Sequence, residues 1–311
     1  MQKKRMIYNY GSINIDNVYR VPHLVKPGET LASSHFHQVL GGKGSNQSLA
    51  IARAGNQVCH LGAIASSDAW IADLLKGAGV EISRLALLDD TASGHTVIQV
   101  DDQAENCIVL FPGANHRIPA EVVTDALEEA SPHDWLLLQN ECGDLSKVLA
   151  KAFDKGLKVA LNPAPMEAAI ANLPLERLAL LIVNQGEAEA LLTALGDTLG
   201  KPEPHTLMDE LSSHFPDQEI LLTLGGAGAI YRSGNNTIEQ PVFKVNARDT
   251  TGAGDTFVGY FLAARANNEE AAQALLQASA AAALCVQADG ASSSIPAYTE
   301  VMDFLSHHST T

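Results

Sequence analysis

The chain has 311 residues, is 46% hydrophobic and 18% charged, and carries a formal net charge of −16. That balance suits a folded protein large enough for one sizeable core, excludes a disordered chain, and disfavours nonspecific binding to nucleic acid or to an anionic membrane surface. No run approaches membrane-spanning length and no apolar signal region follows the basic N-terminus, so a cytoplasmic protein is expected.

In chain order, residues 12–40 hold the extended segment Asn14-Ile15-Asp16-Asn17-Val18-Tyr19 and a Pro27-Gly28 turn. Gly41-Gly42-Lys43-Gly44-Ser45-Asn46-Gln47 then ends an extended region and opens a helix over 43–54. Glycines there let a substrate approach the backbone while Lys43 and Asn46 offer donors, although the same residues alone would also make a tight turn with an N-cap. A strand over 57–64 and a helix over 68–78 follow. Residues 93–111 alternate, with Thr96, Ile98 and Val100 and then Cys107, Val109 and Phe111 on either side of a polar turn at Asp101–Asn106. Alternation indicates strands with one buried and one free face. The segments 12–40 and 93–115 are therefore expected to form one small sheet projecting from the main body.

Farther on, short apolar runs at 135–138, 159–161, 180–183 and 220–224 alternate with helical patterns near 144–155, 186–195 and 206–214. Continuous apolar strands separated by helices predict a doubly wound, mainly parallel α/β sheet covered on both faces, within one domain over residues 1–311. Functional residues then belong at the carboxyl ends of the strands, where Asn162-Pro163-Ala164-Pro165, Asn184 and Gly225-Gly226 stand. The Ala-rich stretch 271–285 has helical spacing and is expected to pack in the core. Cys59, Cys107, Cys142 and Cys285 are widely separated and lie within or beside apolar stretches, which implies buried, reduced thiols and no disulfide framework.

Thr251-Gly252-Ala253-Gly254-Asp255-Thr256 constrains function most. It follows the extended stretch Val242 to Val245 and opens a helical pattern through Phe257, Tyr260, Phe261 and Ala264. Two glycines at a helix start leave N–H groups bare, and the helix dipole adds partial positive charge, so the turn suits a phosphate or a developing anion. A carboxylate would repel a merely bound phosphate. It makes sense if Asp255 takes a proton from a hydroxyl while the N–H groups hold the phosphoryl charge. Neither common glycine motif competes: Phe257 stands where a dinucleotide fingerprint needs a small residue, and no G-x-x-x-x-G-K-[ST] occurs.

Together with Gly11-Ser12-Ile13-Asn14-Ile15-Asp16, Pro27-Gly28-Glu29-Thr30, Gly113-Ala114-Asn115, Leu161 to Pro165, Asn184-x-x-Glu187, Thr223 to Gly228 and Asp249-Thr250, these motifs resemble the ribokinase-like (phosphofructokinase-B) carbohydrate kinase family over almost the whole chain. The resemblance implies ATP-dependent phosphorylation of a sugar's primary hydroxyl, with O5 of ribose the foremost candidate. It implies sugar binding by Asn14, Asp16, Gly42, Lys43, Asn46 and Glu141, a catalytic base at Asp255, and an anion hole at Gly252, Ala253 and Gly254. It implies a nucleotide site at Asn184, Thr223, Gly225, Gly226, Gly228, Gly254 and Ser279, and Mg²⁺ tied to Glu187. It further implies a K⁺ loop from Asp249, Thr251, Cys285, Ala288, Gly290 and Ser294, and a homodimer clasped through the lid sheet. Gln185-Gly186 replace the family's usual Glu-Thr, which removes an acidic group near the phosphates. Thr96 adds a hydroxyl and volume near the sugar where Ala is common, so another sugar or a nucleoside stays open as acceptor. A catalytically dead sugar-binding sensor is the alternative of a different class.

Overall fold

The computed structural model describes residues 5–103 and 105–308; the two ends of the expected domain lie outside the described residues. From the N-terminal side, β1 (Met6–Tyr10), β2 (Asn14–Arg20) and β3 (His35–Gly41) precede α1 (Lys43–Arg53), β4 (Gln57–Ala65), α2 (Trp70–Gly77) and β5 (Leu85–Leu88). Next come β6 (Gly94–Val100), β7 (Asn106–Phe111), α3 (Ala120–Glu129), β8 (Trp135–Leu138), α4 (Leu145–Asp154) and β9 (Lys158–Leu161). β10 (Leu180–Asn184), α5 (Gln185–Leu195), α6 (Pro204–His214), β11 (Glu219–Thr223), β12 (Ala229–Ser233) and β13 (Asn236–Gln240) follow, then α7 (Ala253–Ala266), α8 (Ala271–Cys285) and α9 (Tyr298–His308).

Nine strands form the central sheet in the order β13-β12-β11-β10-β9-β8-β1-β4-β5. Its pairings are parallel from β11 through β5, and β12 and β13 add an antiparallel hairpin at one edge. The apolar strands bury side chains on both faces, as a parallel sheet covered by crossover helices must. One core packs Ile7, Ile64, Trp135, Leu137 and Ile182 against α1, α7 and α8. The other packs Tyr8, Leu61, Leu136, Leu161 and Val183 against α3, α4, α5 and α6. The Ala-rich α8 is buried along most of its length, as its composition predicts.

β2, β3, β6 and β7 form the separate lid sheet, in the order β3-β2-β6-β7 with β2 and β6 parallel. Here one expectation needs correction. All six residues of β7 are exposed, so the alternating pattern does not bury one face within a single chain. Cys107 lies on this strand and is exposed, unlike the three buried thiols, because no described residue covers β7. Val242 to Val245 joins no sheet either; it runs as an irregular strap between β13 and α7.

Candidate active site

The site gathers at the carboxyl ends of the central strands, under the base of the lid. β2 carries Asn14 and Asp16, and Asp16 pairs directly across from Thr96 on β6. That register brings the Thr96 hydroxyl within 2.6 Å of Asp16 Oδ1. Burial pushes the Asp16 carboxyl above its ordinary pKa, Thr96 opposes the rise, and the nearby Glu141 charge adds to it. Gly41, at the end of β3, leaves room for this carboxylate: a Cβ there would lie 1.9 Å from Asp16 Oδ2. Asn14 is held by Asn115, whose Nδ2 donates to Asn14 Oδ1 at 2.8 Å. Glu141, just beyond β8, accepts from the Ser12 hydroxyl and, at 3.1 Å, from the Lys43 backbone N–H.

Asp255 sits in the first turn of α7. Gly252 caps that helix at φ 76°, a left-handed conformation that favours glycine, and a Cβ there would meet Ala291 Cα at 2.9 Å. The first i to i−4 bond of the helix runs from Thr256 N to Gly252 O at 2.8 Å, so the N–H groups of Gly254 and Asp255 precede it. The two oxygens of Asp255 accept from different residues of α1: Asn46 Nδ2 at 3.0 Å and Gln47 Nε2 at 2.9 Å. Burial raises the Asp255 pKa; the Lys43 charge and these two amides oppose the rise, while Glu141 reinforces it. Asn46 Oδ1 is buried without a hydrogen-bond partner, an acceptor well suited to a ligand hydroxyl.

On the other side of the α7 N-terminus lies a cavity of about 560 Å³. Thr223, Gly225, Gly226 and Gly228 from the end of β11 line it, with Ala253, Gly254 and Ser279. The strap Val242 to Val245 and the α8 residues Ala282 and Ala283 supply an apolar wall that suits a planar base. At the end of β10, Asn184 and Glu187 form a capping box: Glu187 N donates to Asn184 Oδ1 at 2.8 Å, and Asn184 N donates to Glu187 Oε2 at 3.0 Å. Burial raises the Glu187 pKa, with the cap and Lys43 opposing and Asp255 adding to the rise.

A carboxylate poised beside fixed donors, at a helix start that separates a polar pocket from a nucleotide-sized cavity, is an arrangement for moving a phosphoryl group onto a hydroxyl. Residues 4–298 match the pfkB family carbohydrate kinase. The chain belongs to this family. It is 35% identical over 305 residues to a ribokinase of Haemophilus influenzae, covering 96% of this chain and 97% of that one. It is 29% identical over 306 residues to a deoxyribokinase of Salmonella typhi, covering 95% of this chain and 97% of that one. A crystal structure of a ribokinase from Cryptococcus neoformans, in complex with ADP, superimposes with a TM-score of 0.86 at 34% identity, covering 97% of this chain and 99% of that one.

In this carbohydrate kinase Glu141 links Ser12 to Lys43 N, Asn46 bonds Asp255, Thr96 bonds Asp16 and Asn115 bonds Asn14. The residues expected to bind nucleotide line the cavity, apart from Asn184, which is not among its lining residues. Several residues expected in the cation loop are hydrogen-bonded to one another. Asp249 Oδ1 accepts from Thr251 N and Thr251 Oγ1 at 2.9 and 2.6 Å, and Asp249 Oδ2 accepts from Gly290 N at 2.9 Å. Partial burial alone would raise the Asp249 pKa, but these donors outweigh it and the group lies below the ordinary value. Cys285 Sγ lies 3.0 Å from Ser294 Oγ, and the Cys285 carbonyl accepts from Ala288 N at 3.2 Å. Among the described residues, no three His, Cys, Asp or Glu side chains group as metal ligands. Among the described residues, no helix is long and apolar enough to cross a membrane. Sequence reasoning missed the buried amides Asn9 and Gln139, and read Val242 to Val245 as extended without giving it a place at the cavity. Gln47 stood inside a quoted motif but was assigned no role.

Proposed function

We propose that this kinase transfers the γ-phosphoryl group of ATP to the primary hydroxyl of D-ribose, giving ribose 5-phosphate. The observation that carries the reading is Asp255, gripped by Asn46 and Gln47 at the glycine-rich start of α7, between the polar pocket and the nucleotide cavity. Asn14, Asp16, Gly42, Lys43, Asn46 and Glu141 would read the sugar hydroxyls, since a polyol needs several fixed donors and carboxylate acceptors. Asp255 would take the proton of the attacking hydroxyl. The N–H groups of Gly252, Ala253 and Gly254 and the charge of Lys43 would hold the transferring phosphoryl group. Asn184, Thr223, Gly225, Gly226, Gly228 and Ser279 would hold the nucleotide.

Glu187 has one carboxylate oxygen outside its cap bond, which fits a Mg²⁺ that arrives with ATP and keeps most of its ligands as phosphate and water. Bound there, the ion would neutralise phosphate charge. The carboxylate of Asp249, the Ser294 hydroxyl and the carbonyls around Thr251, Ala288 and Gly290 form an oxygen-rich set that fits K⁺, with the Cys285 thiol packed beside it. The remaining readings belong to the same proposal: one kinase domain over 1–311, a cytoplasmic protein without nucleic-acid or membrane partners, and a homodimer through the lid. The identity to a deoxyribokinase keeps 2-deoxyribose as the second candidate, because Thr96 already occupies one oxygen of Asp16.

The test is ATP consumption against a panel of pentoses, deoxyribose, ketohexoses and nucleosides, with K⁺ or with tetramethylammonium. Ribose should give the highest kcat/KM, and K⁺ should activate. Asp255→Asn should lower kcat by about 10²–10⁴-fold, the usual loss for a general base. No turnover with any acceptor would favour the sensor reading, and a variant keeping more than roughly a tenth of the wild-type kcat would place the base elsewhere.

A further inference from the structure

A chain of buried amides runs from Asp255 into the core, and nothing in the phosphoryl transfer described above uses it beyond its first link. Gln47, Gln139, Asn9, Ser48 and His60 are each 0 or 1% exposed. The polarity of this chain is set at both ends. The Gly44 carbonyl can only accept, so Asn9 points Nδ2 at it, at 2.8 Å. Asn9 Oδ1 is thereby turned to Gln139, whose Nε2 donates to it at 2.9 Å. The same Nε2 donates to Gln47 Oε1 at 2.7 Å. With its oxygen held there, Gln47 presents Nε2 to Asp255 Oδ1 at 2.9 Å and to Asn162 Oδ1 at 3.1 Å.

Gln139 is the node. One NH₂ group serves two carbonyl oxygens, and its own Oε1 is left buried without a partner. Reversing that amide would set oxygen against both Asn9 Oδ1 and Gln47 Oε1, so the unpaired acceptor is the lesser penalty. The far side of Asn9 is equally determined. The Gly11 carbonyl can only accept, so the neutral His60 ring carries its hydrogen on Nε2, 3.1 Å away, and Nδ1 is the acceptor. The Ser48 hydroxyl therefore donates to Nδ1 at 2.8 Å while accepting from Asn9 Nδ2 at 2.8 Å. Every hydrogen in the chain has one assignment.

We propose that Gln139 is a positioning residue for phosphoryl transfer: by holding Gln47 Oε1 it fixes the place of the N–H group that Gln47 presents to the carboxylate of Asp255. This inference rests on the reading of Asp255 as the base. Without Gln139, Gln47 Oε1 is left buried without its donor, and only the Nε2 contacts to Asp255 and Asn162 locate the amide. The N–H group then holds the Asp255 carboxylate less closely in its rotation about Cβ–Cγ, while the sugar and nucleotide contacts stay as they are.

The experiment places Gln139→Met in the wild-type and Asp255→Asn backgrounds, measuring kcat, both KM values and thermal stability in each. In the wild-type background kcat should fall by about tenfold, the scale of one charge-assisted hydrogen bond, with both KM values within about twofold. In the Asp255→Asn background the residual rate should change by less than about twofold, because the group being positioned is gone. If Asp255→Asn is inactive but Gln139→Met keeps the wild-type kcat, the inference about Gln139 fails and the reading of Asp255 stands. An equal loss in both backgrounds would mean general disruption and would also overturn it. If Asp255→Asn is itself active, the base reading fails instead. Should Gln139→Met not fold, Gln139→Glu keeps the volume but offers at most one hydrogen to the two oxygens. The same pattern is expected of it, and wild-type kcat in that variant would overturn the inference.

Discussion

Gly41→Ala should damage sugar recognition through a residue it is not bonded to. The backbone of Gly41 lies outside the left-handed region, so alanine is conformationally acceptable there. The added methyl, however, would sit 1.9 Å from Asp16 Oδ2 and 2.5 Å from Asp16 Cγ. Nonbonded heavy atoms settle roughly 3.5–4.0 Å apart, so the carboxylate must retreat by about 1.5 Å or more. A retreat of that size also breaks its 2.6 Å bond from Thr96. Sugar hydroxyls bound to the displaced carboxylate would lose charge-assisted hydrogen bonds of about 1.5–3 kcal/mol each. At 1.36 kcal/mol per factor of ten, losing one such bond raises the sugar KM by roughly 10- to 150-fold. The assay is steady-state kinetics with varied ribose at saturating ATP, repeated in an Asp16→Ala background. Asp16→Ala alone should raise the sugar KM by about tenfold or more, and adding Gly41→Ala to it should cost little further. The ATP KM should hold in every variant. A Gly41→Ala enzyme with the wild-type sugar KM would refute the assignment of Asp16 to the sugar.

Two further outcomes are expected. Burial lowers the His60 pKa to about 4, against an ordinary 6.5, so between those values the unfolded chain binds a proton that the folded chain does not. Stability therefore rises with pH across that window and is lost as pH falls from 6.5 toward 4, by an amount on the order of 3 kcal/mol. His60→Gln should flatten that part of a urea-midpoint-against-pH profile, and an unchanged slope would remove His60 as its cause. Val109 and Ile108 on β7 are 64% and 55% exposed, which leaves a lid that a second copy would cover. Light scattering at micromolar concentration should give a dimer for the wild type and a monomer for Val109→Asp; a monomeric wild type would end the dimer proposal.

The central strands at 135–138, 158–161, 180–184 and 219–223 were legible because a strand buried on both faces reads as an unbroken apolar run. The start of α7 was legible because the helical spacing of Phe257, Tyr260, Phe261 and Ala264 follows the glycines directly, and its role because that turn stands with the other motifs. β1 was not, since Met6–Tyr10 is interrupted by Asn9 and two tyrosines, and its burial follows from lying between β4 and β8. The β12–β13 hairpin was missed because its outer strand is short, polar and half exposed. The amides at Asn9 and Gln139 carry no pattern at all. Their meaning lies in which atom of each faces which neighbour, and that exists only once β1, β8 and α1 are side by side. The strap Val242 to Val245 misled in the opposite direction: its apolar residues form a cavity wall without ever joining a sheet.

The sugar groups are divided between two bodies. Asn14 and Asp16 ride on the lid strand β2, whereas Asn46, Lys43 and Asp255 belong to helices packed on the central sheet. On the proposed reading, neither half alone surrounds an acceptor hydroxyl. On that reading a pentose would touch both groups, whereas a water molecule beside Asp255 would gain no contact with Asp16, so idle hydrolysis of ATP would draw no help from the lid residues.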